Sequence, residues 1–207
     1  MTIEKEEINN IVSDRISSFL SETSFNFSLN GLQKIHFLLF NGISEKAGKF
    51  RNKFNPRKKE VVLNGNSVKY SIDSEISRVL KELIDEEQHF NYSKLTDKEK
   101  ILHISHFFSD LWRIHPFYDG NTRATTLFVI KRMRQIGFVI SNKQFECNAL
   151  YYRNSLVRSA YETKRIPRDF SFLQQFLINI IEKKQMDNLT SESLKIVDID
   201  VETPTLY

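Results

Sequence analysis

Thr96-Asp-Lys-Glu-Lys-Ile-Leu-His-Ile-Ser-His-Phe-Phe-Ser-Asp-Leu-Trp-Arg-Ile-His-Pro116 is the stretch that decides the fold. Thr96 and Glu99 have the spacing of a capping box, in which each side chain serves the backbone of the other at a helix start. Behind it, Ile101, Leu102, Ile104, Phe107, Phe108, Leu111, Trp112 and Ile114 recur at helical spacing. A stripe of that period has to be buried against other elements. Pro116 ends the helix, because proline has no N–H and biases its predecessor away from helical geometry. A loop, Pro116-Phe-Tyr-Asp-Gly-Asn121, leads directly into a second helix, residues 122–136, which is apolar over most of its surface and is followed by Gly137 as a cap.

The same period appears on either side of this pair. Ile8, Ile11, Val12, Ile16 and Phe19 predict an amphipathic helix over 4–20. Ser28-Leu-Asn-Gly31 reads as a break, after which Leu32, Ile35, His36, Leu38, Leu39 and Phe40 form a helix that stops before Gly42. Residues 45–57 read as basic and irregular. Val61-Val-Leu63 and Val68-Lys-Tyr70 flank Asn64-Gly-Asn-Ser67, and this turn chemistry predicts one small β-hairpin. Helices are further expected over 73–90, 145–163 and 169–184. The chain from Met186 is acidic and without clear periodicity. The expected fold is all-α with a single hairpin.

Composition narrows the function classes. Of 207 residues, 40% are hydrophobic and 27% charged, which excludes a disordered or fibrous chain. No apolar run approaches the ~18 residues of a membrane span, and the charged start, Met1-Thr-Ile-Glu-Lys-Glu-Glu7, does not read as a signal peptide. No membrane partner is expected. The net charge of +4 is concentrated only at Arg51-Asn-Lys-Phe-Asn-Pro-Arg-Lys-Lys59, so a phosphate-bearing ligand is permitted while nucleic acid is not expected. The single cysteine, Cys147, excludes an intrachain disulfide and a cysteine-rich zinc site and suits a reducing compartment. A cytoplasmic protein is expected, with secretion as an effector left open. The 17 phenylalanines read as core material.

His115-Pro-Phe-Tyr-Asp-Gly-Asn-Thr-Arg123 carries the chemistry. Gly120 lets backbone approach a ligand closely. Asn121 and Thr122 stand at the start of a buried helix, whose unpaired amides and positive dipole end suit an anion. Arg123, in the first turn, adds a fork of donors for phosphate oxygens. Asp119 is a hard-oxygen ligand suited to Mg2+. His115 is the nearby group able to take a proton near neutral pH. Together these make a kit for phosphoryl or nucleotidyl transfer.

The stretch resembles the Fic motif, usually His-Pro-Phe-x-(Asp/Glu)-Gly-Asn-(Gly/Lys)-Arg-x-x-Arg. Ile35-His-Phe-Leu-Leu-Phe40 is similar to the family's Ile-His-x-x-Leu-Phe helix, and Ala47-Gly-Lys-Phe-Arg51 to its Ala-Gly-x-x-Arg segment. The expected hairpin occupies the place of the family's flap, and Asn148–Arg158 looks like a downstream helix of one subgroup. The resemblance covers roughly residues 30–180. It implies a Fic-like helical bundle with a catalytic domain over 29–185; the residues themselves add an N-terminal helix over 1–28 expected to pack on the core and an acidic tail over 186–207 expected to be loosely ordered. It also implies transfer of AMP from ATP to a Tyr, Thr or Ser hydroxyl of a target protein, with Mg2+ and release of pyrophosphate. On that reading His115 is the base, Asp119 holds Mg2+, Phe117 anchors the loop, and Gly120, Asn121, Thr122 and Arg123 bind the nucleotide. The target would pair with the flap at Val61, Leu63, Val68 and Tyr70. A separate antitoxin or inhibitor protein is a further partner the resemblance suggests.

Two positions depart from the pattern. Thr122 replaces Gly or Lys and still offers its amide. Thr126 stands where the motif's second arginine, which grips the γ-phosphate, would fall. Two alternatives therefore stay open: a kinase of the Doc type, which transfers the γ-phosphate, and a silent binding module. Ser18-Phe-Leu-Ser-Glu22 fits the core of the family's inhibitory helix but is followed by Thr23. His103 and His106, three apart, read as surface or core residues rather than metal ligands, and His36 as a packing or hydrogen-bonding residue.

Overall fold

In the computed structural model, residues 5–53, 58–184, 186 and 190–196 are described. Eight α-helices follow one another among them: α1 Lys5–Ser21, α2 Leu29–Phe40, α3 Ile76–His89, α4 Asp97–Ile114, α5 Asn121–Gln135, α6 Lys143–Cys147, α7 Ala149–Ala160 and α8 Ser171–Ile181. The described residues contain no strand, only an isolated antiparallel bridge between Phe50 and Phe117. None of their helices is long and apolar enough to cross a membrane. The chain gathers into two compact units. One takes residues 5–53, 71–91 and 114–139; the other takes 58–70, 92–113, 140–184, 186 and 190–196.

In the first unit α5 is the buried helix that its composition predicts. Ala124, Leu127, Phe128, Val129, Ile130 and Met133 are all at most 1% exposed, and α2 and α1 pack against it. Phe27 stacks on Phe128 at 4.5 Å and Phe25 meets the same ring edge-on at 5.5 Å. Ser28-Leu-Asn-Gly31 turns out to be a helix start rather than a break. The Ser28 Oγ accepts from the Gly31 N–H at 3.0 Å, which satisfies an amide of the first turn of α2. A Cβ on Gly31 would lie 2.0 Å from the Asn26 carbonyl oxygen, so only glycine fits there.

In the second unit α7 packs on α8, and the rings of Phe145, Tyr152 and Phe176 form its aromatic centre. The single helix expected over 145–163 is divided into α6 and α7, because Asn148 leaves helical geometry at φ −117° and ψ 27°. Of the tail expected over 186–207, residues 187–189 and 197–207 lie outside the described residues.

The expected hairpin is not formed. Asn64 and Gly65 make the tight turn, at φ 49° and 85°, and the Glu60 N–H reaches the Asn66 carbonyl at 2.9 Å. The residues before the turn, Val61–Leu63, are one turn of 3₁₀ helix. Val62 and Leu63 are consecutive and both buried, whereas a strand would send them to opposite faces. The Val62 carbonyl accepts from the Ile196 N–H at 3.0 Å. Arg153 grips Glu60 with two bonds of 2.6 Å, tying the segment to α7. Of the residues expected to line the flap, Leu63 and Val68 are buried and Val61 is 79% exposed. Tyr70 meets the edge of the Trp112 ring at 5.8 Å, and burial, with Glu60 nearby, pushes its hydroxyl pKa up.

Candidate active site

The last helical residue of α4 is Ile114, and the chain turns sharply at His115, whose φ is 52°. A side chain in that left-handed region costs about 1–2 kcal/mol, so surrounding contacts must hold it. They come from Arg51. Its Nε donates to the His115 carbonyl at 2.7 Å and its Nη2 to the Ile114 carbonyl at 3.3 Å, while its backbone N–H donates to the Pro116 carbonyl at 2.9 Å. The guanidinium also donates to the Ser71 carbonyl and pairs with Asp73 at 3.0 Å. Burial pulls the Arg51 pKa down and Asp73 opposes the shift. The sequence places Arg51 in a basic loop run; in the structure it is 1% exposed, unlike Lys53, Lys58 and Lys59.

The loop is closed on itself by Asn121. Its Oδ1 accepts from the Phe117 N–H and its Nδ2 donates to the Phe117 carbonyl, both at 2.8 Å. Phe117 is fully buried and stacks on His36 at 3.8 Å. His36 Nδ1 accepts from the Gly48 N–H, which leaves Nε2 to donate to the Asp119 carbonyl, each at 2.9 Å. Burial lowers the pKa of His36, which suits the neutral ring these two bonds require. Tyr118 is fixed by a 2.5 Å bond from its hydroxyl to Asn52 Oδ1.

Gly120 is the N-cap of α5, at φ 70°. A Cβ there would stand 2.3 Å from the Phe40 ring. Asp119 is exposed, and its Oδ1 accepts from the Gly120 N–H at 2.7 Å. The amides of Asn121, Thr122 and Arg123 open α5, where the helix itself supplies no acceptor. Arg123 lies over the Phe40 ring at 4.8 Å; burial lowers its pKa and Asp119 opposes that shift. Thr126 is 5% exposed, and its hydroxyl donates to the Thr122 carbonyl at 2.5 Å.

The first unit thus brings His115, Phe117, Asp119, Gly120, Asn121, Thr122 and Arg123 onto one clamped loop. Val61, Leu63, Val68 and Tyr70 belong to the second unit. Glu22 is exposed and its carbonyl accepts from Lys131, ten residues beyond the start of α5, about 15 Å along the helix axis. His106 stacks on Phe170 and His103 meets the edge of Tyr92. Sequence reasoning missed the service of Arg51 to the loop and the part of Phe40, the ring that both excludes a side chain at 120 and carries Arg123. The signal for each lay in a motif and not in a role: Phe40 closes Ile35-His-Phe-Leu-Leu-Phe40, and Arg51 closes Ala47-Gly-Lys-Phe-Arg51.

Comparison with known proteins adds three findings. The Fic/DOC family model matches residues 26–131. No curated protein sequence matches. Among solved structures the chain is similar to BepC, a VirB-translocated effector of Bartonella tribocorum crystallised with AMPPNP. The two share 21% identity over 84% of each chain, with a TM-score of 0.67. The N-terminal FIC domain of Bep8 from Bartonella sp. 1-1C is 16% identical over 91% of each chain, with a TM-score of 0.65. The N-terminal Fic domain of a Bep effector from Bartonella quintana, with ADP bound, is 19% identical over 84% of this chain and 83% of its own, with a TM-score of 0.61. These likenesses give the fold; the family match, over α2, α3, α4 and most of α5, gives more: the chain belongs to the Fic/DOC family.

Proposed function

We propose that this protein transfers AMP from ATP to a Tyr, Thr or Ser hydroxyl of a target protein. The observation that supports this reading is the clamped loop itself. A proton acceptor, an exposed carboxylate, the first turn of a buried helix and an arginine occupy nine successive residues, and their backbone is held by Arg51, Asn121 and His36. Nucleotides bound to BepC and to the Bartonella quintana domain support an adenine nucleotide as the ligand.

His115 Nδ1 is buried, so the proton of the target hydroxyl is taken at Nε2. The freed oxygen forms its bond to the α-phosphorus as the bond from that phosphorus to the bridging oxygen breaks, and pyrophosphate leaves. Gly120, Asn121 and Thr122 hold phosphate oxygens with backbone amides, and Arg123 meets the charge that develops on the leaving group. Asp119 would hold Mg2+. The donor fits that ion: Asp119 offers an exposed carboxylate, and Mg2+ is ordinarily held by one or two carboxylates together with substrate phosphates. When bound, it neutralises charge on those phosphates. A cytoplasm supplies the ATP and Mg2+, whether of the producing cell or of one that receives the protein.

Thr126 favours a second reading. With its short side chain buried and bonded within α5, position 126 offers no cation to a γ-phosphate, and a nucleotide bound in the reverse sense would transfer that phosphate instead, as Doc-type kinases do. ATP labelled on the α- or the γ-phosphate, incubated with the protein and a lysate, separates the two. Label carried only from the α-position supports AMP transfer, only from the γ-position the kinase. Label carried from neither marks a binding module.

A further inference from the structure

We propose that Arg51 is a positioning residue, whose guanidinium fixes the main chain on both sides of the His115 Cα and so aims the imidazole. This rests on reading His115 as the base. The geometry is specific. The Ile114 carbonyl belongs to the peptide plane that precedes the His115 Cα, and the His115 carbonyl to the plane that follows it. Arg51 donates to both, from Nη2 at 3.3 Å and from Nε at 2.7 Å. Fixing two successive planes fixes φ and ψ between them, and only the side-chain torsions of His115 remain. The Arg51 N–H adds a third consecutive acceptor, the Pro116 carbonyl, at 2.9 Å. The guanidinium is in turn held by Asp73 at 3.0 Å and by the Ser71 carbonyl.

Pairing with Asp73 alone would not need this arrangement. Asp73 could be satisfied by any cation, whereas serving two adjacent carbonyls and a carboxylate at once requires the planar, multi-donor fork that lysine lacks. The fork is also 1% exposed, so no solvent competes for the carbonyls it holds. His115 meanwhile keeps a left-handed backbone with no glycine to ease it.

Arg51→Lys keeps a cation for Asp73 and removes the fork. We expect a folded protein that binds Mg2+·ATP within about threefold of wild type while its transfer rate at saturating ATP falls about tenfold to a hundredfold, the scale on which small misplacements of a reacting group are felt. On a His115→Ala background the same substitution should cost less than about twofold, because a residue acting through His115 has nothing left to position. The imidazole NMR signals of His115, identified by their loss in His115→Ala, should shift in Arg51→Lys while those of His89 stay in place. A rate retained within about threefold, a loss that persists in full without His115, or an unmoved His115 signal would each overturn the proposal. Should the wild-type protein transfer no label at all, the function proposed above fails, and the NMR comparison still decides whether Arg51 sets the imidazole.

Discussion

At position 120 the backbone and the packing make the same demand. The φ of 70° disfavours any Cβ, and a Cβ would lie 2.3 Å from Phe40, a buried ring that also carries Arg123. Gly120→Ala is expected to destabilise by about 2–4 kcal/mol, backbone strain and overpacking combined, and to weaken ATP binding. Gly137 has φ 101° and open space around it. Gly137→Ala therefore carries the strain alone, about 1–2 kcal/mol; urea unfolding of the two variants tests the difference. His36 gives a pH prediction. Its folded-state pKa is lowered by burial, so the unfolded chain binds a proton that the folded chain resists, and stability falls as pH drops below the ordinary histidine range. His106, also lowered by burial, acts in the same sense. Between about pH 7.5 and about pH 5.5 the unfolding free energy should decline, and His36→Gln should remove up to about 1.4 kcal/mol per pH unit of that slope. An unchanged slope in the variant would mean that His36 accepts a proton in place. Turn chemistry made Gly120 and Asn121 legible in the sequence. Arg51 was legible as the end of Ala47-Gly-Lys-Phe-Arg51 but not in its role: it opens a basic run, and the acceptors it serves are carbonyls more than sixty residues away, which leave no mark on residue type.

Helices were legible wherever an apolar period ran long, as in α4 and α5, and less so where local chemistry decided. Ser28 and Gly31 look like loop residues until the serine is seen to cap α2. The segment from Val61 carries hairpin signals that hold at the turn and fail at its flank. There the burial of two successive residues and the Glu60–Arg153 pair favour a 3₁₀ turn over a ladder. Both forces come from α7 and the chain near 194–196, far along the sequence. The end of α1 yields a regulatory prediction. Leu20, Glu22 and Phe25 present carbonyls to Arg134, Lys131 and Gln135, which fastens this end to the C-terminal half of α5, and the Glu22 side chain is exposed. A glutamate so placed has no arginine at 126 to pair with. Glu22→Gly should change self-labelling with ATP by less than about threefold, under ~1 kcal/mol on the rate scale. A rise of about tenfold or more would make α1 an inhibitory element despite its attachment.

At the scale of the whole molecule there are two compact units with phenylalanine-rich interiors, and the function proposed above divides the loop of the first unit between holding the nucleotide and doing chemistry. That division can be measured. As the proposed base, His115 would act only as the hydroxyl attacks, so removing its imidazole should slow transfer without weakening what binds beforehand. His115→Ala is expected to lose about 10²–10⁴ in rate, the range of a general base, and to keep Mg2+·ATP affinity within a small factor. Asp119, as the proposed Mg2+ ligand, would serve the ground state. Its carboxylate is exposed and stands beside the first amides of α5, so Asp119→Ala should weaken Mg2+-dependent ATP binding and transfer together. Asp119 also caps the Gly120 amide. Binding of ATP without Mg2+, where that amide is wanted by phosphate, should therefore change little in Asp119→Ala or even improve. Calorimetric titration of both variants, with and without Mg2+, beside labelled-ATP transfer, separates the two roles. If His115→Ala loses ATP affinity while circular dichroism reports an intact fold, the histidine is a contact of the bound nucleotide, and the base must be sought elsewhere.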